Sequence, residues 1–325
     1  MTRMRATLYV LTVLPGLLLG ATAFAQTYPA KSVRVIVPYP PGGGNDIIAR
    51  AVVDELSRRT AQQFFVDNRP GASTIIGAEL AIKAPPDGYT LFVSSQTTLA
   101  IVPNLKTKVP YDPLRDFEPV SLLATQPYLV VTHPSLPVHN VAQLAALAKS
   151  RPGKIVYASS GIGTGGHLSG ELFKMMTRTD MLHVPYKGGA QAVTDVLAGN
   201  VSIYFSGIPP AIQHVKAGKL TALGVAQPRP VSSLPNVPPL ATGALARLDL
   251  TAWFGFFVPK GTPDDIVTLL NTRLRQILDT PEMQQRLVET GVEPASMSAA
   301  QFEQFVANER TKYGRFISEL AIQTE

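Results

Sequence analysis

Two short stretches of this sequence have residue types and spacing that suit chemistry. One is Pro38 to Gly44 (PYPPGGG), directly after the apolar, β-branched run Val33 to Val37 (VRVIV). The other is Ser159 to Gly166 (SSGIGTGG), directly after Ile155 to Ala158. A Gly-rich turn leaving a buried strand sets the next helix's unpaired N–H groups at the strand's carboxyl end. Those groups and the helix dipole attract an anion. In open α/β sheets, ligands also sit there. The chemistry on offer is therefore recognition of a negative group by backbone, with two loops facing one cleft and Gly43 and Gly163 on its opposite walls. The competing reading is that these glycines only permit tight turns. His167, at the start of the second helix, is placed either to donate to a bound anion or to bond local backbone.

Reaction chemistry finds little support. Neither Gly-Lys pair is followed by Ser or Thr, so there is no phosphate-binding Walker loop, and no Gly-x-Ser-x-Gly elbow occurs. His133, His139, His167, His183 and His214 stand outside metal-ligand spacing, and the chain has no cysteine. No catalytic residue, metal or cofactor is expected. A dinucleotide site is the sharper rival: Gly42 and Gly44 open a helix, and Asp67 ends the second strand 25 residues after Gly42. Against it, Ile47 stands where the third glycine belongs.

The elements that must hold these loops alternate. Strands are expected at Val33–Val37, Phe64–Val66, Thr90–Ser94, Tyr128–Thr132, Ile155–Ala158, Leu182–Val184, Ser202–Phe205, Ala222–Ala226 and Thr251–Val258. Helices are expected from Asn45 or Asp46 as cap to about Arg58, with Ile48, Val52 and Leu56 on one face. Others are expected at Ile75–Ala84, Val141–Lys149 capped by Asn140, His167–Met176, Ala190–Leu197 and Ala211–Ala217. Pro263 and Pro281 open two more, Gly291 stops the second, and Ser298 with Gln301 forms a capping box for the last. Such alternation argues for parallel sheets covered by helices. Gln227 to Thr242, rich in Pro and Ser, reads as a linker.

Composition is globular: 325 residues, 45% hydrophobic and 16% charged, enough for two domains. Residues 1–25 read as a cleavable signal peptide, with Arg3 and Arg5 as a basic head, an apolar core and Ala23-Phe24-Ala25 as cleavage site. The mature chain is then expected in the periplasm, free of disulfides and of a lipid anchor. Without Arg3 and Arg5 the formal charge falls from +6 to +4. That excess is spread out, with no basic stripe, so nucleic acid is not an expected partner.

The loops and their surroundings carry a family resemblance. Tyr28-Pro29, VRVIVPYPPGGGNDIIAR, VDNRPGAS, IGAELAIKAPPDGYTLF, YDPLRDFEPVSLL, YASSGIGTGGHLSGELFK, HVPYKGG and WFGFFVPKGTP, in this order, resemble the Bug family, periplasmic receptors of tripartite tricarboxylate transporters. The resemblance implies a type II periplasmic-binding-protein fold, with two α/β lobes and a ligand cleft between them. The first lobe would comprise 26–124 and 228–325, and the second 125–227. It also implies a monomer that binds a small carboxylate or amino acid and hands it to membrane permease subunits. A sensor kinase is the alternative partner, and an enzyme on the same fold the third reading. On this chain the resemblance places ligand contacts at Tyr39, Pro41, Gly42, Gly43, Gly44, Asn45 and Asp46. It places others at Ser94, Ser95 and Thr97, at Ser159, Ser160, Gly161, Gly163, Thr164 and His167, and at Tyr186, Lys187 and Gly188. Asp67 replaces a more usual Glu and Ser73 a more usual Gly. Asp46 is either a helix cap or a partner for a ligand ammonium. Lys187 is either a solvated turn lysine or a charge near the ligand carboxylate. Trp253 is expected in the core between lobes. N-terminal sequencing of periplasmic extract should give Gln26 as first residue; Met1 retained in a membrane fraction would contradict the signal peptide.

Overall fold

The computed structural model describes residues 28–105 and 109–320; the expected signal peptide lies outside them. The first half runs β1 (Val33–Val37), α1 (Gly44–Thr60), β2 (Phe64–Asn68), α2 (Ile75–Ile82) and β3 (Thr90–Ser95). A buried π-helical turn follows at Thr97–Ile101. The second half holds β4 (Phe117–Thr132), α3 (Val141–Ser150), β5 (Ile155–Ser159), α4 (Gly165–Thr177), β6 (Met181–Pro185), α5 (Gly189–Leu197), β7 (Ile203–Gly207), α6 (Ile208–Lys216) and β8 (Thr221–Val225). The chain then returns as β9 (Thr251–Pro259), α7 (Asp264–Leu278), α8 (Pro281–Glu289), β10 (Glu293–Pro294) and α9 (Ala299–Leu320).

Apolar spacing explains most of these elements. Ile48, Val52 and Leu56 are fully buried along one face of α1, as the period requires. Asn140 accepts from the Gln143 N–H at the start of α3. Ser298 and Gln301 bond reciprocally ahead of α9. One cap differs from expectation: α1 begins at Gly44 with Gly43 in the capping position, so Asn45 and Asp46 lie in its first turn.

The strands order as β2-β1-β3-β9-β4-β7-β5-β6. β1 is flanked by β2 and β3, and β5 by β6 and β7, all parallel. The two Gly-rich loops therefore leave equivalent strands in two equivalent halves, and the two α/β lobes expected from the sequence are present. The sheets are not purely parallel, however. β9 runs antiparallel to β3 and β4, and β4 antiparallel to β7 and β8, because these strands carry the chain between lobes. β4 pairs with β9 from Phe117 to Pro127, then with β7 and β8 from Tyr128 to Thr132. Nor is Gln227–Thr242 a bare linker: Val231, Leu234 and Val237 are buried against the Leu129–Val131 core.

β9 forms the middle of the first lobe. Trp253 is buried among Phe257, Phe302 and Phe305, and its indole N–H donates to Glu309 Oε2 at 3.0 Å. A Cβ on Gly255 would stand 2.2 Å from the Phe302 ring and 2.8 Å from Phe257. Gly255→Ala should cost about 1–3 kcal/mol by overpacking, seen as a lower thermal midpoint than wild type; an unchanged midpoint would show that α9 shifts freely.

Candidate ligand-binding site

A cavity of about 330 Å³ lies where the lobes meet. Its first wall is the turn after β1 and the first turn of α1, through Tyr39, Pro40, Pro41, Gly43, Gly44 and Asn45, with Ser95, Gln96 and Thr97 after β3. Its second wall comes from the loop after β5 (Ser160, Thr164, Gly166), the start of α5 (Lys187 to Gln191) and the start of α6 (Gly207, Pro210), with Tyr204. Gln126 and Tyr128 of β4, with Ala252 and Phe254 of β9, close it at the lobe junction. The amino ends of α1, α4, α5 and α6 thus all contribute to the lining.

Charge is distributed one way. Lys187 is the one charged side chain among the described lining residues. The hydroxyl groups belong to neutral phenols as well as to Ser and Thr. Burial pushes the Tyr39, Tyr128 and Tyr204 hydroxyls above the usual phenol range. Tyr39 bonds Ser95 Oγ at 2.8 Å, and Tyr204 bonds Ser160 Oγ at 2.8 Å. Gln96 donates to the Tyr128 oxygen at 2.6 Å, which leaves the Tyr128 proton free for another acceptor. The opposite end of that amide accepts from the Trp253 backbone N–H at 3.0 Å. Gln126 Oε1 accepts from the Ile208 N–H at 3.1 Å, so it fixes the start of α6. Such a cavity can hold an anion by backbone N–H and neutral hydroxyl groups, and it presents no acid for a cation. Among the described residues no three His, Asp or Glu side chains gather as a metal site.

Comparison with known proteins decides the family. The tripartite tricarboxylate transporter family receptor matches residues 48–322. This chain belongs to that family. The BugT protein of Bordetella pertussis is 33% identical over 320 residues, 98% of each chain. An R. palustris protein solved with adipate is 33% identical at TM-score 0.89, over 91% of this chain and 99% of its own. MatC of Rhodopseudomonas palustris, solved with bound malate, is 28% identical at TM-score 0.83, over 89% of this chain and 100% of its own. The fold is that of periplasmic binding proteins.

Within this receptor the expected contact residues divide into two groups. Tyr39, Pro41, Gly43, Gly44, Asn45, Ser95, Thr97, Ser160, Thr164, Lys187 and Gly188 line the cavity. The others stand behind it and hold the loops. Ser94 Oγ bonds Thr98 Oγ1 at 2.6 Å. Ser159 Oγ bonds His183 Nε2 at 2.7 Å and accepts from the Gly161 N–H at 3.1 Å. Tyr186 donates to Asp195 at 2.7 Å. Gly163 does not form a wall opposite Gly43: at φ +73°, it packs on Leu105, which a Cβ would approach to 2.7 Å. Its N–H donates to His167 Nδ1 at 3.2 Å, so His167 takes the backbone-bonding role. Thr164 caps α4 by accepting from the His167 N–H. Gly165 serves close approach, since a Cβ there would stand 2.0 Å from the Tyr128 hydroxyl.

Asp67 is likewise spoken for, since Arg34 and Arg69 both donate to it, at 2.7 and 3.0 Å, where a ribose acid would need to be free. Sequence reasoning misses Gln126, Tyr128, Gly189, Ala190, Gln191, Tyr204, Gly207, Pro210, Ala252 and Phe254.

Asp46 is neither a cap nor a lining residue. It accepts from the Gly42 N–H at 2.9 Å, from Arg50 Nε at 3.0 Å and from Asn68 Nδ2 at 2.9 Å. Burial alone would raise its pKa, but these hydrogen bonds and the Arg50 charge outweigh it and hold the carboxyl below the usual range. A depressed folded pKa contributes stability that is full above the unfolded value near 3.9 and is lost as pH falls through the folded value. Asp46→Asn should therefore lower the melting temperature at pH 7, with a cost of about 1.5–3 kcal/mol for weakened charged hydrogen bonds. The gap to wild type should narrow below about pH 4. A gap that stays constant from pH 7 to pH 3 would contradict the assignment.

Proposed function

We propose that this receptor is a periplasmic solute-binding protein that captures a small carboxylate between its lobes and delivers it to a tripartite tricarboxylate-type membrane permease. The observation that carries this reading is a cavity rimmed by four helix amino ends, with Lys187 as its charged side chain and no acid among the described lining residues. The relatives solved with adipate and malate support the same class of ligand. The cavity, of about 330 Å³, falls within the size range of small-molecule sites.

We assign the lobes to 26–124 with 228–325, and to 125–227. The change of partners along β4 at Pro127–Tyr128 supports the first boundary, whereas Val231–Val237 pack on the second-lobe core, so the return crossing lies beyond them, toward β9. Closure by hinge motion follows from this arrangement. Contacts between the lobes at the rim support it: Ser73 Oγ donates to the Ile162 carbonyl at 3.2 Å, and a Cβ on Gly188 would stand 3.2 Å from Pro40. A monomer suffices, because one chain completes the cavity.

Titration calorimetry against mono-, di- and tricarboxylates and amino acids tests the proposal. Gly43 adopts φ −84° and ψ 168°, open to any residue, and a Cβ there meets only the Pro40 carbonyl at 3.8 Å. Gly43→Val should thus fold normally yet crowd the start of α1, losing at least ~2 kcal/mol, roughly thirtyfold in affinity. Lys187 is exposed at the mouth, so Lys187→Ala should lose no more than about tenfold, and less at high salt. The reverse ranking, with Gly43→Val binding like wild type and Lys187→Ala abolishing binding, would make the site a side-chain charge pocket.

A further inference from the structure

Asn45 is the second residue of α1 and only 8% exposed, and it lines the cavity. Its Oδ1 is buried and has no hydrogen-bond partner. Two other described side chains have such an atom, Thr132 and Arg273, and neither lines the cavity. A buried polar atom left unpaired is unfavourable, so buried amides are normally bonded. Next to it, Asp46 is tied to Gly42, Arg50 and Asn68. Asn45 lines the cavity and its enclosed amide oxygen has no partner in the chain, so the amide is free to turn toward a ligand group.

We propose that Asn45 is a specificity residue that reads a hydroxyl on the carbon next to the ligand's carboxylate. The proposal rests on the carboxylate reading above. Adjacency follows from the residue itself: Gly44 and Asn45 supply first-turn N–H groups for the carboxylate, so a group reached by the Asn45 side chain is the carboxylate's near neighbour. The hydroxyl follows from charge and from amide geometry. An ammonium would enter a cavity lined by Lys187 and helix amino ends, with no carboxylate to balance it; Asp46 lies outside the lining and is already paired. A half-turn of the amide exchanges its oxygen and nitrogen. A hydroxyl both donates and accepts, so it suits either orientation, whereas an ammonium suits only the oxygen.

The test is calorimetric titration of wild type, Asn45→Leu and Asn45→Ala with matched acids: propionate and lactate, succinate and malate, glutarate and 2-hydroxyglutarate, adipate and 2-hydroxyadipate. The 2-amino analogues of each are titrated alongside. Wild type should bind the 2-hydroxy member of the best pair about tenfold tighter, the worth of one good hydrogen bond. Both variants should bring that ratio to about one, whatever happens to the affinity for the plain acid, while the unliganded melting temperature holds. A wild-type ratio near one, or a ratio that survives both variants, overturns the inference and leaves the carboxylate reading intact. Tighter binding of the 2-amino acid overturns the hydroxyl assignment. If no acid in the series binds wild type, the carboxylate reading fails, and this inference with it.

Discussion

β4 is a single strand of sixteen residues whose backbone belongs to both lobes. Its first part bonds β9 and its last part bonds β7 and β8, so the ladder hydrogen bonds of each lobe converge on one continuous stretch of chain. That stretch cannot be displaced without opening a sheet. It joins the two strand–loop–helix units, and the cavity is the space left between them. The lining residues Gln126 and Tyr128 flank the point where β4 changes partners.

The electrostatics of the cavity follow from that placement. Helix amino ends carry partial positive charge without an ionisable group, so they are insensitive to pH and need no counter-ion in the empty state. Buried phenols add neutral donors. On the proposed function, a small anion there would meet many weak dipoles fixed in place by the fold. The asymmetry between the glycine positions is part of the same design. Gly43 leaves open space beside α1, whereas Gly163 and Gly165 let the second loop pack on Leu105 and Tyr128.

The second loop has its own uncharged support. His167 stacks on His183 with centroids 4.2 Å apart, and His183 stacks on Tyr157 at 4.8 Å. Burial lowers the pKa of both histidines, that of His183 to about 3 with the neighbouring His167 adding to the effect. Both shifts favour the neutral rings in the stack behind the loop.

The sequence by itself determined the local units. Apolar runs named the parallel strands, and glycines marked the two turns that border the cavity. Asn140 and the Ser298–Gln301 pair marked helix starts, because each of these signals acts within a few residues. The tertiary structure decided the rest. The Phe117–Pro127 part of β4 was illegible because Pro119 and Pro127 interrupt it, and its pairing with β9 needs register shifts at Pro119/Ser121 and Leu122/Ala124. The far wall of the cavity was illegible because distant partners set it: Gln126 reaches Ile208 across 82 residues, and Gln96 reaches Trp253 across 157. The roles of Gly163, His167 and Asp46 turned on which way each group faces: Gly163 packs on Leu105 of the other lobe, whereas His167 bonds within its own loop and Asp46 is held by Gly42, Arg50 and Asn68.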